Sequence, residues 1–164
     1  MAAPAYFDTS VLVKQYVDET GAATARQLFR RRRIVSSALA AVELTSALSR
    51  RRAASQISAV QWARVVRDLR FDRTHWELLA VTDSILARAE EVVRMTGLRS
   101  LDSVHVASAQ LSSTLIGTTL SFITADARQR AAAVQLGLDV TWVESEGRAQ
   151  THQRRVGIPV GDHP

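Results

Sequence analysis

Apolar positions along this chain fall into two regimes. Some are short unbroken runs that fit strands, and others are longer stretches in which apolar residues return every three or four positions, as on one face of a helix. Tyr6-Phe7 ends a strand candidate at Asp8, and Thr9-Ser10 followed by Val11-Leu12-Val13 opens a short helix from Ser10 to Val17. Gly21 punctuates that helix, and Ala25, Leu28 and Phe29 predict a second one over Ala22 to Arg33. Ile34-Val35-Ser36 is the next strand candidate, with Ser37 as the cap of a helix from Ala38 to about Arg52. Its apolar stripe is Leu39, Ala40, Ala47 and Leu48, and Glu43 falls within it, four residues from both Leu39 and Ala47. Ser58 to about Arg70 repeats the pattern through Val60, Trp62, Val66 and Leu69, which predicts a helical hairpin with the preceding helix.

Trp76 to Val81 is a further β candidate. Thr82 or Asp83 caps a helix carrying Ile85, Leu86, Ala89, Val92 and Val93, with Glu90 and Arg94 as an outer i,i+4 pair and Gly97 at its end. Leu98 to Leu115 is helical, with Ser100 and Asp102 near its start and Leu101, Val104, Ser108 and Leu111 along one face. Ser121 to Thr124 is an apolar strand ending at Ala125-Asp126, so Asp126 repeats the arrangement of Asp8. Ala127 to Leu136 is a helix stopped by Gly137, and Asp139 to Val143 a last strand with Val140 and Trp142 facing one way. Short strands separated by helices predict an α/β fold, a mainly parallel central sheet flanked by helices.

Composition narrows this. With 164 residues, 46% hydrophobic and 23% charged, the chain suits one compact domain, 1–143, followed by a polar tail, 144–164. No apolar run approaches the roughly 20 residues of a membrane span, and Met1 to Ser10 lacks the basic and apolar segments of a signal peptide, so a cytoplasmic protein is the expectation. The absence of cysteine excludes disulfides, thiolate nucleophiles and cysteine-held zinc. The net charge of +5 comes almost wholly from arginine, Lys14 being the only lysine. Arginine excess favours a polyanion partner, and the clusters Arg30 to Arg33 and Arg50 to Arg52 read equally well as basic ends of solvated helices.

Four carboxylates then carry the chemistry. Asp8 and Asp126 end predicted strands, Glu43 lies on an inward helix stripe, and Asp102 starts another helix. A parallel sheet brings such positions to its carboxyl edge, where open α/β sheets bind ligands. Each Asp is also a good N-cap, so convergence is what separates a site from a set of caps. Gathered carboxylates repel, and burial adds desolvation, a conflict that a hard divalent cation removes. Mg²⁺ or Mn²⁺ accepts carboxylates and water, orients a phosphodiester and activates a water nucleophile. Thr9, Ser10 and Thr124 flank the acids and serve either as caps or as hydrogen-bond partners of the site.

The segments Tyr6-Phe7-Asp8-Thr9-Ser10-Val11-Leu12, Ala41-Val42-Glu43-Leu44, Leu101-Asp102-Ser103-Val104-His105-Val106-Ala107 and Phe122-Ile123-Thr124-Ala125-Asp126, in this order, resemble the PIN-domain family. The resemblance is to its VapC-type ribonuclease toxins of bacterial type II toxin–antitoxin systems. It implies a PIN-like fold and a Mg²⁺-dependent endoribonuclease, with Asp8, Glu43, Asp102 and Asp126 as the acidic, metal-holding and catalytic set. It implies as well a homodimer, an RNA substrate and a small antitoxin protein that covers the acidic groove. Ser103 stands where that family often has a small apolar residue, and Lys14 and Arg99 acquire no role from it.

Other residues read as structural. His105, three residues after Asp102, fits a core histidine better than a ligand of a hard metal. His75, His152 and His163 show no ligand spacing, Asp83 and Glu90-Glu91 fit a cap and a solvated face, and Trp62, Trp76 and Trp142 fit the core or an interface. Two rival functions remain. An aspartyl-phosphate route, as in haloacid-dehalogenase-type phosphatases, wants a second Asp two residues after Asp8, where Ser10 stands. A non-catalytic PIN-like module would bind nucleic acid or protein without cutting.

Overall fold

A computed structural model describes residues 2–144 of the chain. The expected tail therefore lies, Glu144 excepted, outside the described residues, as do His152 and His163.

Five strands form one parallel sheet: β1 (Pro4–Phe7), β2 (Arg33–Ser37), β3 (Glu77–Leu79), β4 (Ser121–Thr124) and β5 (Val140–Trp142), in the spatial order β3-β2-β1-β4-β5. The chain builds outward from β1 through β2 to β3, then crosses back to lay β4 against the other side of β1. The strand order thus reverses between β1 and β4, and the crevice beyond their carboxyl ends is the ligand position of such sheets.

Alternation along β1 feeds a separate core on each face. Ala5 and Phe7 pack with Val11, Leu12, Ala25, Leu44, Leu48, Val65 and Leu69. Tyr6 packs with Val35, Ile85, Val92, Val106, Phe122 and Ala133. A strand buried on both faces needs no polar alternation, which is why β1 reads as a plain apolar run. The first core is covered by α1 (Thr9–Leu12), continued by a turn of 3-10 helix over Val13–Gln15, with α2 (Ala22–Arg31), α3 (Ala40–Ala53) and α4 (Ala59–Asp72). The second is covered by α5 (Asp83–Thr96), α6 (Ser100–Ile116) and α7 (Ala127–Gln135).

Capping chemistry sets the helix starts. Ser58 and Gln61 form a reciprocal capping box at α4, and Thr82, rather than Asp83, accepts from the Ile85 amide at α5. At α3 Ser37 Oγ accepts from the Leu39 amide, so the helix begins at Ala40, slightly later than its apolar pattern predicts. Several residues assigned to apolar stripes face solvent instead: Val60, Leu86, Val93 and Leu101 are exposed. Leu86 and Val93 sit one position from buried Ile85 and Val92, and a step of about 100° per residue carries the edge of an apolar stripe out of the core. Lys14 acquires a role here: buried, it donates to Glu19 Oε1 at 2.8 Å and to the Thr20 carbonyl at 2.7 Å.

Candidate active site

Asp8 follows β1 and is buried, 1% exposed. Its amide donates to the Ile123 carbonyl of β4 at 3.0 Å, which pins it at the sheet reversal. Its Oδ2 accepts three donors: the Ser10 amide, the Ser10 hydroxyl and Thr124 Oγ1. Both sequence readings are therefore true of one residue, since Asp8 caps the single turn of α1 and also lies inside a polar cluster. Ser10 Oγ in turn accepts from the Ala125 amide at 2.9 Å, and Thr124 Oγ1 from the Asp126 amide at 3.0 Å, so the two strand ends are tied together through side chains.

Asp102 arrives from the first turn of α6. A single atom links it to Asp8: Gln129 Nε2 donates to Asp8 Oδ1 at 3.0 Å and to Asp102 Oδ1 at 3.1 Å. Asp126 is half-buried and caps α7, its Oδ1 accepting from the Arg128 and Gln129 amides at 2.8 and 3.0 Å. Glu43 reaches in from α3, and its Oε2 accepts from Thr9 Oγ1 at 3.0 Å and from His105 Nε2 at 2.6 Å. An ionised carboxylate only accepts, so Nε2 of His105 carries a proton. In the neutral imidazole Nδ1 is then bare and receives the Tyr6 hydroxyl, 2.9 Å away.

These groups act on one another electrostatically. Burial pushes the Asp102 carboxyl above its usual value, and the charges of Asp126, Asp8 and Glu43 push the same way against the opposing influence of His105. Burial opposes a charged His105, but the bond to Glu43 and the charges of Asp8, Glu43 and Asp102 outweigh it and raise its pKa. For Glu43 burial is likewise opposed, and the His105 bond and charge with the Thr9 hydroxyl bring its carboxyl below the ordinary value.

All four predicted acids thus meet at the carboxyl edge, by different means. Asp8 and Asp102 share a donor, Glu43 joins through Thr9 and His105, and Asp126 is committed to its helix terminus. Among the described residues no group of three or more His, Asp or Glu side chains is arranged to hold a metal ion outright. Two carboxylate oxygens converging on one point, with water completing the shell, nevertheless suit Mg²⁺, which is commonly held by one or two protein carboxylates. The donor chemistry fits that ion.

One residue of the cluster, Gln129, escaped the sequence reading, and His105 reads there as structural alone. Gln129, 3% exposed, lies on the buried stripe of α7 with Ala132 and Ala133, and a polar residue at that spacing is the same signal that singled out Glu43. His105 is a satisfied core histidine as expected, yet both ring nitrogens are spent on site neighbours. The arginine clusters lie elsewhere. Arg30 to Arg33 close α2 and open β2, so they sit at the amino edge of the sheet, where Arg26, Arg30, Arg32 and Arg33 join Phe71 and Trp76 in lining a cleft of about 410 Å³. Arg50 bonds Ser46, Arg51 pairs with Glu19, and Arg52 lies 5.6 Å from the Trp62 ring.

Comparison with known proteins agrees with this architecture. The PIN domain family model matches residues 5–135. Among solved structures, a toxin-antitoxin complex from Klebsiella pneumoniae is 19% identical, with a TM-score of 0.58 over 84% of this chain and 95% of the other. VapBC-5 of Mycobacterium tuberculosis, from the VapBC family of toxin-antitoxin systems, is 17% identical, with a TM-score of 0.54 over 87% of this chain and 98% of the other. At these identities the likeness concerns the fold. No curated protein sequence matches the chain.

Proposed function

The chain belongs to the PIN-domain family, and from that premise we propose that it is a Mg²⁺-dependent endoribonuclease serving as the toxin of a type II toxin–antitoxin pair. The observation that carries the proposal is the convergence of Asp8 Oδ1 and Asp102 Oδ1 on one point at the sheet reversal, with Glu43 and Asp126 within electrostatic reach. Bound there, Mg²⁺ would supply positive charge to the phosphoryl oxygens and lower the pKa of a water nucleophile.

The protein's own residues do the rest. Ser10 and Thr124 hold the Asp8 carboxylate in one orientation. Thr9 and the Tyr6–His105 pair hold Glu43, leaving its other oxygen, Oε1, available to a proton or a water of the site. Asp126, fixed on the α7 terminus, adds negative charge without moving. Arg99 and Arg128 are exposed and stand three and two residues from Asp102 and Asp126, so they supply cationic groups for the RNA backbone at this edge. Val42, Val60 and Phe71, each at least two-thirds exposed on α3 and α4, offer apolar surface to a second protein chain, an antitoxin or another copy.

RNA cleavage with Mg²⁺, with EDTA, and by Asp102→Asn tests the assignment. Cleavage that needs the cation and disappears in the variant supports it. RNA binding without cation-dependent cleavage would favour the non-catalytic module, and full activity of Asp102→Asn would remove Asp102 from the chemistry.

A further inference from the structure

The Gln129 amide bridges the two carboxylates that a cation would draw together. Its Nε2 is 3.0 Å from Asp8 Oδ1 and 3.1 Å from Asp102 Oδ1, while its Oε1 is buried with no hydrogen-bond partner. An amide carries two donors at one end and an acceptor at the other. Here only the donor end is used, and the two carboxylates are all that hold the amide in its present orientation. Those spacings have a second meaning: oxygens in cis positions of an octahedral Mg²⁺ shell, at 2.0–2.1 Å from the ion, lie about 2.9 Å apart. The amide end facing the carboxylates therefore keeps from each of them the separation that one cis ligand keeps from another.

We propose that Gln129 is a two-state member of the cation site. Without the ion its Nε2 bridges Asp8 and Asp102, and with the ion its terminal amide turns about χ3 so that Oε1 becomes a third oxygen donor. N–H groups aimed at a divalent cation are repulsive, whereas an amide oxygen is a hard ligand of the kind Mg²⁺ and Mn²⁺ take. The turn exchanges two atoms of nearly equal size within a fixed, buried outline and needs no movement of α7. It also explains why an uncharged residue sits among like charges: the bridge keeps Asp8 and Asp102 together until the ion arrives, and the same side chain then serves the ion. This rests on the cation reading given above.

Calorimetric titration with Mn²⁺ of the wild type and Gln129→Leu separates the two ideas. The expected result is binding by the wild type and an affinity about 10- to 100-fold weaker in the variant, the scale on which supporting residues of metal sites act. Equal or tighter binding by Gln129→Leu would overturn the proposal, leaving Gln129 a plug that the ion displaces, with the cation site itself intact. No binding by the wild type would overturn the cation reading and this inference together. A second measurement avoids the variant altogether: the assigned Gln129 side-chain NH₂ resonances should leave their carboxylate-bonded positions when Mg²⁺ saturates the protein. Resonances that stay in place at saturation refute the amide turn.

Discussion

Replacing Asp8 by Asn changes volume hardly at all, so its effects are those of charge and hydrogen bonding. Three donors converge on Oδ2 and one on Oδ1, which places the Asn oxygen at the Oδ2 position and aims its NH₂ at Gln129 Nε2. Each of the three retained bonds falls from a charge-assisted to a neutral value, a loss of about 1 kcal/mol apiece. The donor–donor contact adds about 1–3 kcal/mol until the Gln129 amide turns. Against this, Asp8 no longer repels its acidic neighbours, and one such pair of like charges at an effective dielectric of about 20 is worth roughly 3 kcal/mol. These effects partly cancel, and unfolding in EDTA should shift by no more than about 3 kcal/mol, or roughly 6–12 °C for a domain of this size. The cation response should change far more. An ion present at about 100 times its Kd stabilises by about 2.7 kcal/mol, roughly 5–10 °C, and Asp8→Asn should lose that shift. Thermal unfolding followed by circular dichroism, in EDTA and in MnCl₂, measures both. A destabilisation above about 4 kcal/mol in EDTA would show that Asp8 acts mainly as the cap of α1. A full Mn²⁺ shift in the variant would remove Asp8 from the cation site.

Glu43→Gln should lower the pKa of His105, read from its ring resonances, because the bond and charge that outweigh burial are removed; an unchanged titration would refute the pairing. The raised His105 value contributes stability fully present below the unfolded histidine pKa near ~6.5 and lost as pH rises through the folded value. The lowered Glu43 value contributes stability present above its unfolded pKa near ~4.3 and lost as pH falls through the folded value. The difference in unfolding free energy between wild type and Glu43→Gln should accordingly be largest between those limits and shrink on either side. Ser103→Ala deletes a buried hydroxyl that has no partner, so denaturant unfolding should show it neutral or up to about 1 kcal/mol more stable than wild type. Arg128→Ala should weaken RNA binding and reduce the salt slope by about 0.7, as for one contact to a single strand, while Arg30→Ala at the opposite sheet edge should leave both unchanged; the reverse order would reroute the RNA.

How far the sequence was legible follows from what each residue depends on. Asp8 and Asp126 could be placed because a strand end followed by a helix cap is local, and Glu43 because an acid on an apolar stripe breaks a local rule. The parallel order of the sheet followed from the spacing of strands and helices. Thr9, Ser10 and Thr124 could not be divided between capping and site, and the structure shows why: Ser10 donates to Asp8 and accepts from Ala125 in the same geometry. Gln129 carries no charge to single it out on an alanine-rich stripe, and its partners are 121 and 27 residues away. Long-range pairing of that kind leaves no periodicity to read. The apolar stripes named too many inward residues because pattern alone fixes a helix face to about one residue, and Leu86 and Val93 lie just past that limit.

Charge is distributed in a way that bears on function. Among the described residues the ion pairs of arginine and Lys14 go to Asp18, Glu19, Asp68, Glu77, Glu90 and Glu91, and none goes to Asp8, Glu43, Asp102 or Asp126. Asp8, Asp102 and Asp126 are met by hydroxyls, one amide side chain and backbone N–H groups, and Glu43 by Thr9 and His105. Neutral donors orient a carboxylate while leaving its charge in place, whereas an arginine would cancel it. A chain with a net charge of +5 therefore keeps, at one sheet edge, an acidic cluster that pairs with no arginine or lysine among the described residues. Such a cluster should attract a small divalent cation and, without one, repel phosphate. The surrounding arginines favour a polyanion at longer range. RNA bound without the ion should consequently avoid the acidic edge and approach it only after the ion has bound. Mg²⁺ should then strengthen RNA binding by the wild type, and Asp8→Asn should bind RNA with little dependence on Mg²⁺.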